Sequence, residues 1–183
     1  MTNILIVNGH DYYDRAQGKL TQTLVAAAVS QLSAQHTVQT TTVAEGYEVE
    51  QEIQKFQWAD VIIFQTPIYW FSITGLLKKY IDDIYLPNIF FGKAKEFGRG
   101  GLLTDKKYML SLTWGASAAA FSDPAGFLEG KSEDEVLFSV HKTQEYCGLK
   151  QLPTFSLYSS MREPDVEDGL AKLEAHLKKT FEL

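Results

Sequence analysis

Residues 56–85, FQWADVIIFQTPIYWFSITGLLKKYIDDIY, join an apolar strand, a knot of aromatics and an amphipathic helix end to end. Ala59 to Gln65 is a short, β-branched apolar run of the kind found in fully covered strands. Pro67-Ile68-Tyr69-Trp70-Phe71 follows it directly. The helix after that carries its buried stripe on Leu77, Tyr80, Ile81 and Ile84. Open α/β sheets bind ligands in loops at the carboxyl ends of their strands. Adjacent aromatics at such a place suit a flat aromatic ligand.

The rest of the chain repeats the alternation. Ile4 to Val7 is β-branched and ends in Asn8-Gly9, a buried strand and a turn. Residues 20–34 are Ala-rich, with Leu20, Leu24, Ala28 and Leu32 at helical spacing. His36 to Val43 reads as a second strand. The acidic stretch 45–55 is expected as a short helix or loop facing water. Ala59–Gln65 is the third strand, Tyr108–Thr113 the fourth and Leu152–Tyr158 the fifth. A helix is expected over 133–147. The last helix opens with Asp165, Glu167 and Asp168 and closes with Lys178 and Lys179, the polarity a helix dipole favours. Leu170, Leu173, Leu177 and Phe181 form its apolar face. Five strands alternating with helices imply an α/β fold with a parallel sheet covered on both faces. Right-handed crossovers then favour a doubly wound, flavodoxin-like five-stranded sheet of order 2-1-3-4-5.

A chain of 183 residues fits one domain, 1–183, with a sizeable core. A formal charge of −6 argues against a nucleic-acid partner. Cys147 is the one cysteine, so no internal disulfide is expected, and a reducing compartment fits. No segment reads as a signal peptide, and no run approaches the roughly 18 apolar residues of a membrane span. The expectation is a cytoplasmic protein without membrane insertion.

Three loops carry the candidate chemistry. Gly9 to Lys19 lies where a doubly wound fold presents helix N-terminal amides to phosphates. Gly18-Lys19 hints at a P-loop, but Leu20 stands where Ser or Thr should hold magnesium, and a GxGxxG fingerprint is absent. What remains is a loop with His10, Arg15, Lys19 and Thr21, able to hold phosphate or pyrophosphate. It is otherwise a solvated loop that happens to contain two cations. Pro67 to Phe71 is a cradle for a flavin ring, or a plug of core aromatics at a helix start. Thr113 to Ser117, TWGAS, is small enough for a ligand to approach backbone closely, with Trp114 as a wall. It is otherwise a tight packed turn. In the expected strand order all three converge at the carboxyl edge. The long irregular region 86–105 is a further candidate. Its bland alternative is a mobile surface insertion.

No catalytic constellation accompanies these loops. His10, His36, His141 and His176 lack metal-ligand spacing. Cys147 reads as a small core residue and Asp82-Asp83 as a solvated helix end. An enzyme without acid–base residues leaves the chemistry to a cofactor.

Several segments resemble one known family. They are NILIVNG at 3–9, GKLTQTL at 18–24, WADVIIFQTPIYWF at 58–71, KKYIDDIY at 78–85, KKYMLSLTWGAS at 106–117 and LPTF at 152–155. The chain resembles the flavodoxin-like NAD(P)H:quinone reductases, most closely the group called modulator of drug activity B. The resemblance spans nearly the whole chain, and its KKYID and KKYMLSLTW stretches are the most specific. It implies bound FAD, a homodimer with active sites at the subunit interface, and two-electron reduction of a quinone or related acceptor by NAD(P)H. By position, Ala16, Gln17, Gly18, Lys19, Leu20, Thr21, Gln22 and Thr23 would meet the phosphates and adenosine. Pro67, Ile68, Tyr69, Trp70 and Phe71 would flank the ring. Thr113, Trp114, Gly115, Ala116 and Ser117 would close its other edge, Phe97 would come from the long loop, and His10 matches a phosphate-side histidine.

The chain departs from the family in three places. Its loop between Tyr85 and Phe97 is shorter. Phe121 stands where the wider family has a Tyr near the flavin, and no His follows before His141. Ile68-Tyr69 replaces Gly-Trp. The expectation is a flavoenzyme transferring hydride by a ping-pong mechanism, with FAD favoured over FMN. The rivals are an FMN-dependent azo or nitro reductase of the same fold and a flavin electron carrier or regulatory module without turnover.

Overall fold

In the computed structural model, which describes residues 1–162 and 164–182, a parallel sheet runs through the centre of the molecule. Its order is β2-β1-β3-β4-β5, with β6 also paired to β4. The strands are β1 (Asn3–Asn8), β2 (Thr37–Thr42), β3 (Val61–Pro67), β4 (Lys107–Thr113), β5 (Lys150–Gln151) and β6 (Phe155–Leu157). The helices are α1 (Lys19–Leu32), α2 (Val49–Trp58), α3 (Gly75–Ile84), α4 (Glu133–Val136), α5 (Phe138–Tyr146) and α6 (Val166–Phe181). The doubly wound 2-1-3-4-5 arrangement is the one expected. No described helix is long and apolar enough to cross a membrane.

Every residue of β3 is buried, because it pairs with β1 on one side and β4 on the other while helices cover both faces. Ile4, Ile6, Val61, Ile63 and Met109 point to one face and pack with Leu24, Ala28 and Leu32 of α1 and Leu173 and Leu177 of α6. Leu5, Val7, Ile62, Phe64, Leu110 and Leu112 point to the other, with Phe56 of α2, Leu77 and Tyr80 of α3, and Val140 of α5. This is the period of two that a strand imposes on its side chains.

Three expectations need correction. The fifth strand is not continuous from Leu152 to Tyr158: it is split into β5 and β6 around Leu152-Pro153-Thr154. Proline has no N–H for a ladder and is confined to strand edges and interruptions. Asp134 of α4 spans the gap, accepting from Gln151 Nε2 at 2.8 Å and Thr154 Oγ1 at 2.6 Å. The region 133–147 is accordingly two helices, broken at Leu137.

Most of the acidic stretch 45–55 is helical, one of the two forms expected, but α2 does not simply face water: Glu52, Ile53 and Phe56 are buried, which is the third correction. Glu52 Oε2 accepts from Thr41 Oγ1 of β2 at 2.7 Å and from the Tyr80 hydroxyl of α3 at 2.6 Å. Its Oε1 lies 2.7 Å from Lys55 Nζ. A charged side chain mistaken for a surface marker is therefore the joint between β2, α2 and α3. Glu52→Ala should cost about 2–5 kcal/mol in urea unfolding, because two buried hydroxyls lose their acceptor. Glu52→Gln, which keeps one acceptor oxygen, should lose less. An alanine variant as stable as the parent protein would show the network to be idle.

Candidate functional site at the carboxyl edge

The carboxyl ends of β1, β3 and β4 lie side by side, and their three loops meet where strand order reverses between β1 and β3. The loops after β1 and β3 are locked together at their bases. Gly9 N–H donates to the Gln65 carbonyl at 2.9 Å. Thr74 Oγ1 donates to the Gly9 carbonyl at 2.6 Å and accepts from Leu77 N at 3.1 Å, so one hydroxyl caps α3 and ties it to the first loop.

In the first loop, Gly18 begins α1 at φ 74, a left-handed conformation. A Cβ there would lie 2.4 Å from His10 Cδ2, so the residue must be glycine on two counts. His10 is buried beneath it, and its Nε2 donates to the Ala16 carbonyl at 3.1 Å. A carbonyl only accepts, so the neutral ring carries its proton on Nε2. Nδ1 is buried with no hydrogen-bond partner among the described residues. Burial holds this imidazole below its usual range, against the opposing pull of the Ala16 carbonyl and Asp11. His10 is thus a strut under the loop. No side chain caps α1, so its first-turn amides at Lys19, Leu20 and Thr21 face the loop unfilled. Arg15, Gln17, Lys19, Gln22 and Thr23 are exposed, Ala16 and Leu20 half-buried, and Thr21 buried.

The second loop is a tight turn. Tyr69 N–H donates to the Ser72 carbonyl at 2.9 Å, and Ser72 N–H returns to Tyr69 at 3.1 Å. Its two central residues, Trp70 and Phe71, have φ of 51° and 63°. Such turns ordinarily use Asn and Gly. Two bulky aromatics held left-handed cost about 1–2 kcal/mol each. Strain of this kind clusters at ligand sites. The turn leaves Trp70 93% exposed and Phe71 half-exposed. Pro67 and Ile68 are buried, and Tyr69 is half-buried, edge-on to Tyr13 with centroids 5.4 Å apart. Phe127, from the loop after Phe121, lies over Phe71 at 5.6 Å.

In the third loop Thr113 ends β4, buried, and its carbonyl accepts from Ile68 N at 2.9 Å. Trp114 does not form an open wall. It is 3% exposed, edge-on to Phe121 at 4.8 Å, and donates from Nε1 to Ser156 Oγ at 3.2 Å. Gly115 and Ser117 are exposed and Ala116 half-buried. The amides of these three residues donate to nothing among the described residues.

Phe97 is not brought to this site within one chain. It packs on Tyr146 at 5.8 Å, at the end of α5 just before β5, which is the amino edge of the sheet. There it lines a cleft of about 400 Å³ with Phe91 and Tyr146. Sequence reasoning missed Tyr13, Phe127 and the segment after β6. Only the last was findable beforehand, since it follows a strand at the carboxyl edge.

The residues present fit a flat aromatic group with an anionic tail. Uncapped helix amides and two cations stand at one end, a strained aromatic turn in the middle, and free amides over small residues at the other. Comparison with known proteins agrees. A family model described as flavodoxin-like fold matches residues 2–181. The chain belongs to this family. It is 39% identical over 98% of its length to NADPH:quinone oxidoreductase MdaB of Haemophilus influenzae, covering 99% of that protein. The expected resemblance to this group therefore holds. Human ribosyldihydronicotinamide dehydrogenase [quinone] is 30% identical over 67% of this chain and 52% of its own. The crystal structure of general stress protein 14 from Treponema denticola in complex with FMN superposes with a TM-score of 0.73 at 22% identity, over 100% of this chain and 99% of that one.

The strain in the second loop is measurable. Trp70→Gly should raise stability by up to about 1 kcal/mol, because glycine adopts this φ freely and the indole is exposed. Urea unfolding checks it, and a marked loss of stability would mean the turn is not strained.

Proposed function

We propose that the protein is a flavin-dependent NAD(P)H:quinone oxidoreductase, acting by two-electron hydride transfer in a ping-pong cycle. The convergence of three loops at the β1–β3 switch, one of them a strained and exposed aromatic turn, carries this reading. A flavin held by these loops would supply the redox chemistry, a two-electron relay between NAD(P)H and the acceptor.

The chain's own residues bind, orient and exclude water. Lys19, Arg15 and the first-turn amides of α1 attract the anionic tail. Tyr69, Trp70 and Phe71 flank the ring. The amides of Gly115, Ala116 and Ser117 stabilise negative charge at the ring edge. Phe121 is buried and has no hydroxyl, so it supplies no proton to the acceptor. FAD is the favoured flavin on the resemblance to the quinone reductases, and FMN is the alternative that the Treponema complex keeps in view. The functional unit is a homodimer. Phe97 faces outward at the far edge of its own sheet and would approach the ring only from a second copy. A cytoplasmic setting fits buried, unpaired Cys147, whose thiol burial pushes up to about 12.

The decisive experiment reconstitutes the protein with FAD or FMN and adds NADPH without oxygen. One-step bleaching, followed by reoxidation with a quinone, is the expected result. A large one-electron radical population would favour a carrier, and no flavin uptake would end the proposal. Trp70→Ala should weaken flavin binding by about tenfold or more with unchanged unfolding. Full flavin occupancy in that variant would remove Trp70 from the site.

A further inference from the structure

The segment after β6 is the fourth wall of the same site. Trp114 N–H donates to the Leu157 carbonyl at 2.8 Å, Ser159 N–H to Ala116 at 2.9 Å, and Ser160 N–H to Trp114 at 2.9 Å. Residues 157–160 are therefore stitched to the third loop. Ser159 has φ 56, a third non-glycine held left-handed at this edge after Trp70 and Phe71. The reversal brings Met161 back over the loop. A Cβ built on Gly115 would lie 3.1 Å from Met161 Sδ and 3.5 Å from its Cγ. Gly115 does not have a positive φ, so backbone conformation does not demand glycine there. The thioether crowds the space instead: a Cβ there would push it aside by a few tenths of an ångström. Yet Met161 is 74% exposed, so it is not there to fill the core.

We propose that Met161 is a positioning residue for the isoalloxazine ring, its thioether forming a wall beside the Gly115–Ser117 amides. The inference rests on the flavin reading above. A ring edge brought to those amides meets the thioether from the side. Sulfur against the edge of an aromatic ring is a favourable contact, and an unbranched side chain adapts to the ring's outline. Gly115 then serves two ends: it opens the amides and leaves room for the thioether above them.

A binding cycle on apo-protein tests this without turnover. FAD and FMN are titrated separately against tryptophan fluorescence for the parent protein, Met161→Ala, Met161→Leu, Gly115→Ala and the Gly115→Ala/Met161→Ala double variant. Met161→Ala should weaken binding about 2- to 10-fold, with an unchanged thermal midpoint because the side chain is exposed. Met161→Leu should recover most of the loss. Gly115→Ala should weaken binding by displacing the thioether, and adding Met161→Ala should then cost little more. Parent affinity in Met161→Ala, or fully additive effects in the double variant, would overturn the assignment. Failure of the parent protein to bind either flavin would instead overturn the flavin reading itself, and this inference with it.

Discussion

Parallel pairing of β3 on both of its edges is the constraint from which the rest follows. A strand hydrogen-bonded to β1 and β4 and covered on both faces has no freedom to slip, since a one-residue shift would turn Gln65 and Thr66 to opposite faces. Its carboxyl end is therefore a fixed point. The Gln65 and Thr113 carbonyls there receive Gly9 N–H and Ile68 N–H, which pins the first loop to β3 and the second to β4. Three loops from distant parts of the sequence become one surface because their bases are strand ends in a single register.

The surface is built with strain on a rigid base. Trp70, Phe71 and Ser159 are non-glycine residues in left-handed conformations, and all lie at this edge. Hydrogen bonds within the turn and across the third loop hold them in place. The cost is offset by the covered sheet below, where Phe64, Leu110 and Leu112 are almost completely buried. A flexible loop could present the same side chains, but it would have to be ordered when a ligand arrives, and that ordering would weaken binding. Rigid aromatics already standing in solvent avoid that loss.

The two ends of the sheet differ in character. The carboxyl edge gathers backbone amides, cations and exposed rings. The amino edge gathers the irregular loop 86–105, which buries Phe90 and Leu103 in the core while leaving Phe97 92% exposed. The loop is thus anchored near both ends and outward-facing in its middle, which is why neither a purely functional nor a purely surface description suits it. Symmetric assembly of two copies would let one chain's amino-edge loop complete the other's carboxyl-edge site.

Periodicity by itself determined the order of strands and helices, the parallel sheet and the three converging loops, because covered strands and amphipathic helices write their burial directly into local spacing. The stripe Leu77, Tyr80, Ile81 and Ile84 and the charge polarity of α6 were read off without error for that reason. Other features depended on partners far away in the chain. Glu52 looked like a solvent marker, and only Thr41 and Tyr80 made it a buried joint. Trp114 looked like an open wall, and Phe121 and Ser156 drew it into the core. Phe97 was placed at the flavin by position in the family, while its packing on Tyr146 sets it at the opposite edge. Met161 carried no local signal at all, because its role depends on a backbone reversal that puts it over Gly115, and long-range hydrogen bonds set that reversal.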